Sequence, residues 1–139
     1  MIEVKVEGEM AFSAEKVWGV IADFGNVDWV PGVEKVELEG EGVGMIRHLT
    51  VPVFPQLHER MDAIDSEKMI LDYSIPSVEF LHLKDYKARA QVSELEGERC
   101  GLVWSCVSEV DGVEDAQAIS ETEAFYRDIM TWIGDYLSK

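Results

Sequence analysis

Residues 115–137 read as one long helix whose apolar stripe is too broad for a solvent-facing surface. Ile119, Tyr126, Ile129, Met130, Ile133 and Leu137 recur at helical spacing, and Phe125, Trp132 and Tyr136 widen the stripe to one side. Such a face has to bury against something large, and the preceding residues offer a sheet. Ile2, Val4 and Val6 alternate with Glu3, Lys5 and Glu7 in a first strand. Ser13 then caps a helix carrying Val17, Trp18, Ile21 and Phe24, which Gly25 and Asn26 end. A second short helix or turn covers residues 27–31. About six strands follow, around Val36 and Leu38, over residues 43–51 and 57–63, around Met69–Ile75 and Tyr86–Val92, and over 102–110. Short turns at residues 40–42, 65–66 and 96–98 make them an antiparallel meander. One long helix on one face of a curved sheet is an α+β arrangement.

The 139 residues suit a single domain, 1–139, able to bury roughly two-thirds of its unfolded surface without a metal or disulfide. Asp and Glu number 28 against 12 Lys and Arg, a formal net charge of −16. That balance disfavours nucleic acid and anionic membranes, both of which bind basic surfaces. No apolar run is long enough for membrane insertion, and Met1–Val6 lacks the basic and apolar regions of a signal peptide. A cytoplasmic protein is the expectation. Cys100 and Cys106 on one strand would lie about 20 Å apart, too far to bridge, and read as small apolar residues.

Several motifs occur in a characteristic order: Val17-Trp18, Ala22-Asp23-Phe24-Gly25, Trp29-Val30-Pro31-Gly32-Val33, Glu37-Leu38-Glu39-Gly40, Gly44-Met45-Ile46-Arg47, Glu59-Arg60-Met61-Asp62, Asp65, Tyr73-Ser74-Ile75 and Tyr86. With the element order, they resemble the SRPBCC superfamily of START and birch-pollen-allergen-like proteins, in particular its polyketide cyclase/dehydrase branch. The resemblance spans nearly the whole chain. It implies a helix-grip fold: a curved antiparallel sheet wrapped around the C-terminal helix, two short helices after the first strand, and a cavity between sheet and helix. It leaves function open, because this fold hosts carriers, receptors and enzymes.

Strand parity then nominates the lining of that cavity: Leu49, Val51, Glu59, Met61, Tyr73, Ile75, Tyr86, Ala88, Trp104 and Cys106 from the sheet, and Tyr126 and Met130 from the helix, with Val30 near one end. Small Ala88 and Ala90, and aromatic residues with polar tips, suit a ligand cavity; the alternative is that the aromatics simply fill the interior. Arg47 and Glu59 share the inward face on neighbouring strands. They read either as a polar anchor for a ligand or as a structural ion pair. His82, in the apolar run Phe80-Leu81-His82-Leu83, is a candidate contact at the mouth, or a solvated loop residue. His48 and His58 lie on the opposite face and suggest no metal site, and nothing else calls for a cofactor. The expected function is binding of a small, mostly apolar molecule, lipid-, polyketide- or hormone-like. The alternative is a cyclase/dehydrase-like enzyme with Glu59 as base and Tyr73 or Tyr86 as hydrogen-bond donor to an enolate oxygen. A monomer or homodimer is expected, since Phe80, Leu81 and Trp132 are apolar groups that a second copy could cover.

Overall fold

Apolar residues at every second position make β1 (Ile2–Met10), which buries Ile2, Val4, Val6 and Met10 and exposes Glu3, Lys5 and Glu7. It opens a computed structural model in which residues 1–52, 56–75 and 82–139 are described. Helix α1 (Ala14–Ala22) starts where the Ser13 hydroxyl accepts the Lys16 N–H at 3.3 Å, satisfying one of the free amides of the first turn. It buries Ala14, Val17, Trp18, Val20 and Ile21. The chain then turns rather than forming the second short helix expected over residues 27–31. Asn26 Oδ1 accepts the Asp28 N–H at 3.0 Å, and a single turn closes from the Val30 N–H to Val27 O at 2.9 Å. Side-chain competition for the backbone, Pro31 after Val30 and a left-handed Gly32 (φ 86°) stop it there.

Six strands follow: β2 (Lys35–Glu39), β3 (Ile46–Thr50), β4 (Leu57–Asp65), β5 (Ile70–Ile75), β6 (Leu83–Glu94) and β7 (Cys100–Val110), with helix α2 (Asp115–Leu137) last. The strand order is β1-β7-β6-β5-β4-β3-β2, every neighbouring pair antiparallel. α1 and its following turns therefore carry the chain from one sheet edge to the other. α2 lies across the sheet over β1 and β7. Met130 Sδ sits over Gly8, where a Cβ would approach it to 2.9 Å, so a larger residue there would push the Met130 side chain aside. This is the helix-grip architecture, with one short helix between β1 and β2 instead of two.

Two irregularities shift which residues face inward. β4 changes register between Met61 and Ala63, so Ala63 is exposed and Ile64 half-buried, although simple alternation puts Ala63 beside Met61. β6 shifts between Lys84 and Lys87, where Asp85 adopts φ 52°; Leu83 and Tyr86 both end up inside. Cys100 and Cys106 are free, buried and both on β7. Among the described residues no helix is long and apolar enough to cross a membrane.

Candidate functional site

The turns after α1, the β3–β4 end of the sheet and one flank of α2 line a cavity of about 310 Å³ that opens to solvent on one side. Val27, Trp29, Val30, Pro31, Gly32 and Val33 form one wall. Arg47 and Leu49 of β3, Val51, Pro52, and Leu57 and Glu59 of β4 form a second. Tyr73 and Trp104 form the floor from β5 and β7, and Phe125, Ile129 and Trp132 of α2 form a third wall. Three indoles, a phenol and a phenyl ring thus surround a largely apolar space.

The charged pair of this wall follows from register. Arg47 faces Glu59 across β3 and β4, both at inward positions. Arg47 Nε donates to Glu59 Oε1 at 2.8 Å and Nη1 to Phe24 O at 2.9 Å, while the guanidinium carbon lies 3.9 Å from the centroid of the Phe24 ring. The two side chains are only 9% and 13% exposed, so each charge depends on the other for compensation.

From the floor a ladder of buried polar groups runs into the core. Trp104 Nε1 donates to the Tyr73 hydroxyl at 2.9 Å, and Tyr73 and Tyr86 hydroxyls lie 3.4 Å apart. Tyr86 and Tyr126 hydroxyls lie 2.5 Å apart, and Tyr126 in turn meets the Cys106 thiol. Burial pushes all three phenols and the thiol upward; the Glu59 carboxylate adds to the effect on Tyr73, and neighbouring phenols add to it on Tyr86 and Tyr126. These phenols hold their protons more tightly folded than unfolded. The stability they contribute is therefore full below the ordinary phenol value of 10.0 and lost as pH rises past it, at about 1.4 kcal/mol per pH unit each. At about pH 11 the folded protein should show tyrosinate absorbance three residues short of the urea-unfolded protein. Full titration in the folded state would show the ladder to be open to water.

Of the sequence-nominated residues, Val30, Arg47, Leu49, Val51, Glu59, Tyr73 and Trp104 lie on the cavity wall. Met61, Ile75, Tyr86, Ala88, Cys106 and Tyr126 are buried but not on this wall, and Ala88 and Cys106 border the outer groove instead. Ala88 is flanked in register by Tyr73 and Cys106, and Ala90 by Leu71 and Trp104; their small size makes room for large neighbours rather than opening a void. Met130 turns to Gly8 of β1, away from the cavity. His82 is off the wall as well: it is exposed, with Nδ1 3.3 Å from Glu121 Oε1. Phe80 and Leu81 lie outside the described residues, and Trp132 is part of the wall rather than a free surface patch.

The wall residues that sequence reasoning missed are Val27, Trp29, Pro31, Gly32, Val33, Pro52, Leu57, Phe125, Ile129 and Trp132. A signal existed on the helix: Phe125, Ile129 and Trp132 form an i, i+4, i+7 line one position round from the Tyr126–Met130 line.

On the outer face, His48 and His58 meet Nδ1 to Nδ1 at 2.5 Å, with Glu39 3.4 Å from His48 Nε2. Among the described residues no three His, Cys, Asp or Glu side chains converge as a metal ion requires. A larger groove of about 850 Å³ also crosses this outer face, past Glu3, Lys5, Arg60, Asp62, Asp72, Lys87 and Arg89. It is open to water and several of its charges satisfy one another, as in Arg89 to Asp72 at 2.7 and 3.0 Å and Arg60 to Asp62 at 2.9 Å. The smaller apolar cavity is the better candidate for a ligand.

Residues 1–131 match the protein family described as polyketide cyclase/dehydrase and lipid transport. No curated protein matches the chain. Among solved structures, a Bacillus thuringiensis protein superposes with a TM-score of 0.87 at 24% identity, over 99% of this chain and 100% of its own. The protein XoxI from Bacillus cereus gives 0.85 at 25% identity, over 98% and 95%. Truncated norcoclaurine synthase from Thalictrum flavum gives 0.75 at 22% identity, over 98% and 92%.

Proposed function

The chain belongs to the polyketide cyclase/dehydrase and lipid-transport family, and on that premise we propose that it binds a small, mostly apolar molecule in the cavity between sheet and C-terminal helix. The observation that carries this reading is the pocket itself. Ligand sites are concave and mostly apolar, with a few polar groups among the walls. Here about 310 Å³ stays open among Trp29, Leu49, Trp104, Phe125 and Trp132. That volume is at the small end of ligand pockets, which suits a bicyclic or short-chain molecule. The aromatic walls supply contact area, and the Arg47–Glu59 pair and the Tyr73 hydroxyl supply direction.

Native mass spectrometry of protein purified from its own cells tests this reading. The expected result is a reproducible added mass that disappears on denaturation and that falls when Leu49 is replaced by a larger residue. An unchanged added mass in that variant would place the ligand elsewhere.

A second reading, catalysis in the same cavity, is favoured by one observation: Glu59 and Tyr73 share the wall, near enough that the Glu59 carboxylate acts on the Tyr73 phenol. Tyr86, the third candidate for acid–base work, lies behind that wall, so the reading rests on the other two. It predicts that Glu59→Gln and Tyr73→Phe abolish turnover of a bound ketone while leaving it bound.

A further inference from the structure

Building on the proposed ligand cavity, we infer that the site selects an uncharged ligand bearing a ketone, ester or hydroxyl oxygen and rejects carboxylates, and that Glu59 sets this preference. Arg47 is the only cation among the described wall residues. A ligand carboxylate would need its guanidinium as an open two-pronged donor. Two of its three nitrogens are already engaged, Nε with Glu59 at 2.8 Å and Nη1 with Phe24 O at 2.9 Å, which leaves no free pair along the Nε edge. Its charge is cancelled by Glu59, whose second carboxylate oxygen remains to repel an incoming anion. The formal net charge of −16 on the whole chain acts in the same direction.

Donors without surplus charge are nevertheless present. Trp29 is 7% exposed, and its indole N–H is a buried side-chain polar atom with no hydrogen-bond partner. Such an unpaired donor carries a desolvation cost, which a ligand oxygen reaching it would relieve. The Tyr73 hydroxyl accepts from Trp104 Nε1 at 2.9 Å and lies a long 3.4 Å from Tyr86, so its own proton is weakly committed. Neutral oxygen is the acceptor these groups can satisfy without an uncompensated buried charge.

The test uses two probes of nearly the same shape, 2-acetonaphthone and 2-naphthoate, titrated near neutral pH against tryptophan fluorescence. The wild-type protein should bind the ketone at least tenfold more tightly than the anion. Glu59→Gln, which keeps the shape and removes the charge, should raise 2-naphthoate affinity at least tenfold and so erase the wild-type preference. Equal affinity of wild type for the two probes overturns the inference, and this comparison needs no variant to fold. So does a Glu59→Gln protein that folds and keeps the wild-type ratio. If neither probe binds either protein, the ligand-cavity reading fails and takes this inference with it.

Discussion

Ala88→Phe should destabilise the protein by about 3 kcal/mol or more, whereas Leu49→Phe should cost under ~1 kcal/mol. Both residues point inward, and strand alternation alone gives them equal claim to a cavity. Their surroundings differ. Ala88 lies between Tyr73 and Cys106 in register. The Tyr73 ring beside it already packs against Tyr86 at 6.1 Å and Trp104 at 6.2 Å between centroids. An added phenyl ring has no space there and must displace the hydroxyl ladder. Leu49 borders the open 310 Å³, so a larger side chain can grow into it. Urea unfolding, compared at unchanged slope, measures the difference. An Ala88→Phe protein of wild-type stability would put the void over β6 and contradict the packing described here.

Arg47→Met is the second large effect, expected at about 3–5 kcal/mol. It strands the Glu59 carboxylate, 13% exposed, without a partner and empties the donor that Phe24 O accepts at 2.9 Å. The double variant Arg47→Met, Glu59→Leu removes both charges and should recover most of that loss, since replacing a buried pair by apolar groups is often close to neutral. A single-variant cost below ~1 kcal/mol would show that water compensates the pair and that the wall is wetter than its burial implies.

The contrast between these sites also shows what strand alternation can and cannot reveal. The bounds of α2, the Ser13 cap and the meander were legible, because periodicity and capping are local properties of the chain. Arg47 and Glu59 were legible as inward charges for the same reason. Parity says which face a residue is on, not whether anything covers it. Ala88 and Ala90 therefore looked like the floor of a void when they make room for rings on neighbouring strands. The helix was read one position out of phase, so that Tyr126 and Met130 stood in for Phe125, Ile129 and Trp132; one residue turns a helix by about 100°. The shifts at Met61/Ala63 and Lys84/Lys87 depend on pairing with neighbouring strands, which no single strand encodes. Trp29 belongs to a recognisable motif, but its place in the wall depends on how the turns after α1 fold over the sheet.

The central claim is that a ligand sits among Trp29, Trp104 and Trp132, and the indole N–H signals of the four tryptophans test it most directly. Trp18 lies on α1 and outside the cavity wall. On titrating ¹⁵N-labelled protein with 2-acetonaphthone, the signals of Trp29, Trp104 and Trp132 should move together and saturate while that of Trp18 stays in place. Four stationary signals at saturating probe, or movement confined to Trp18, would contradict the account.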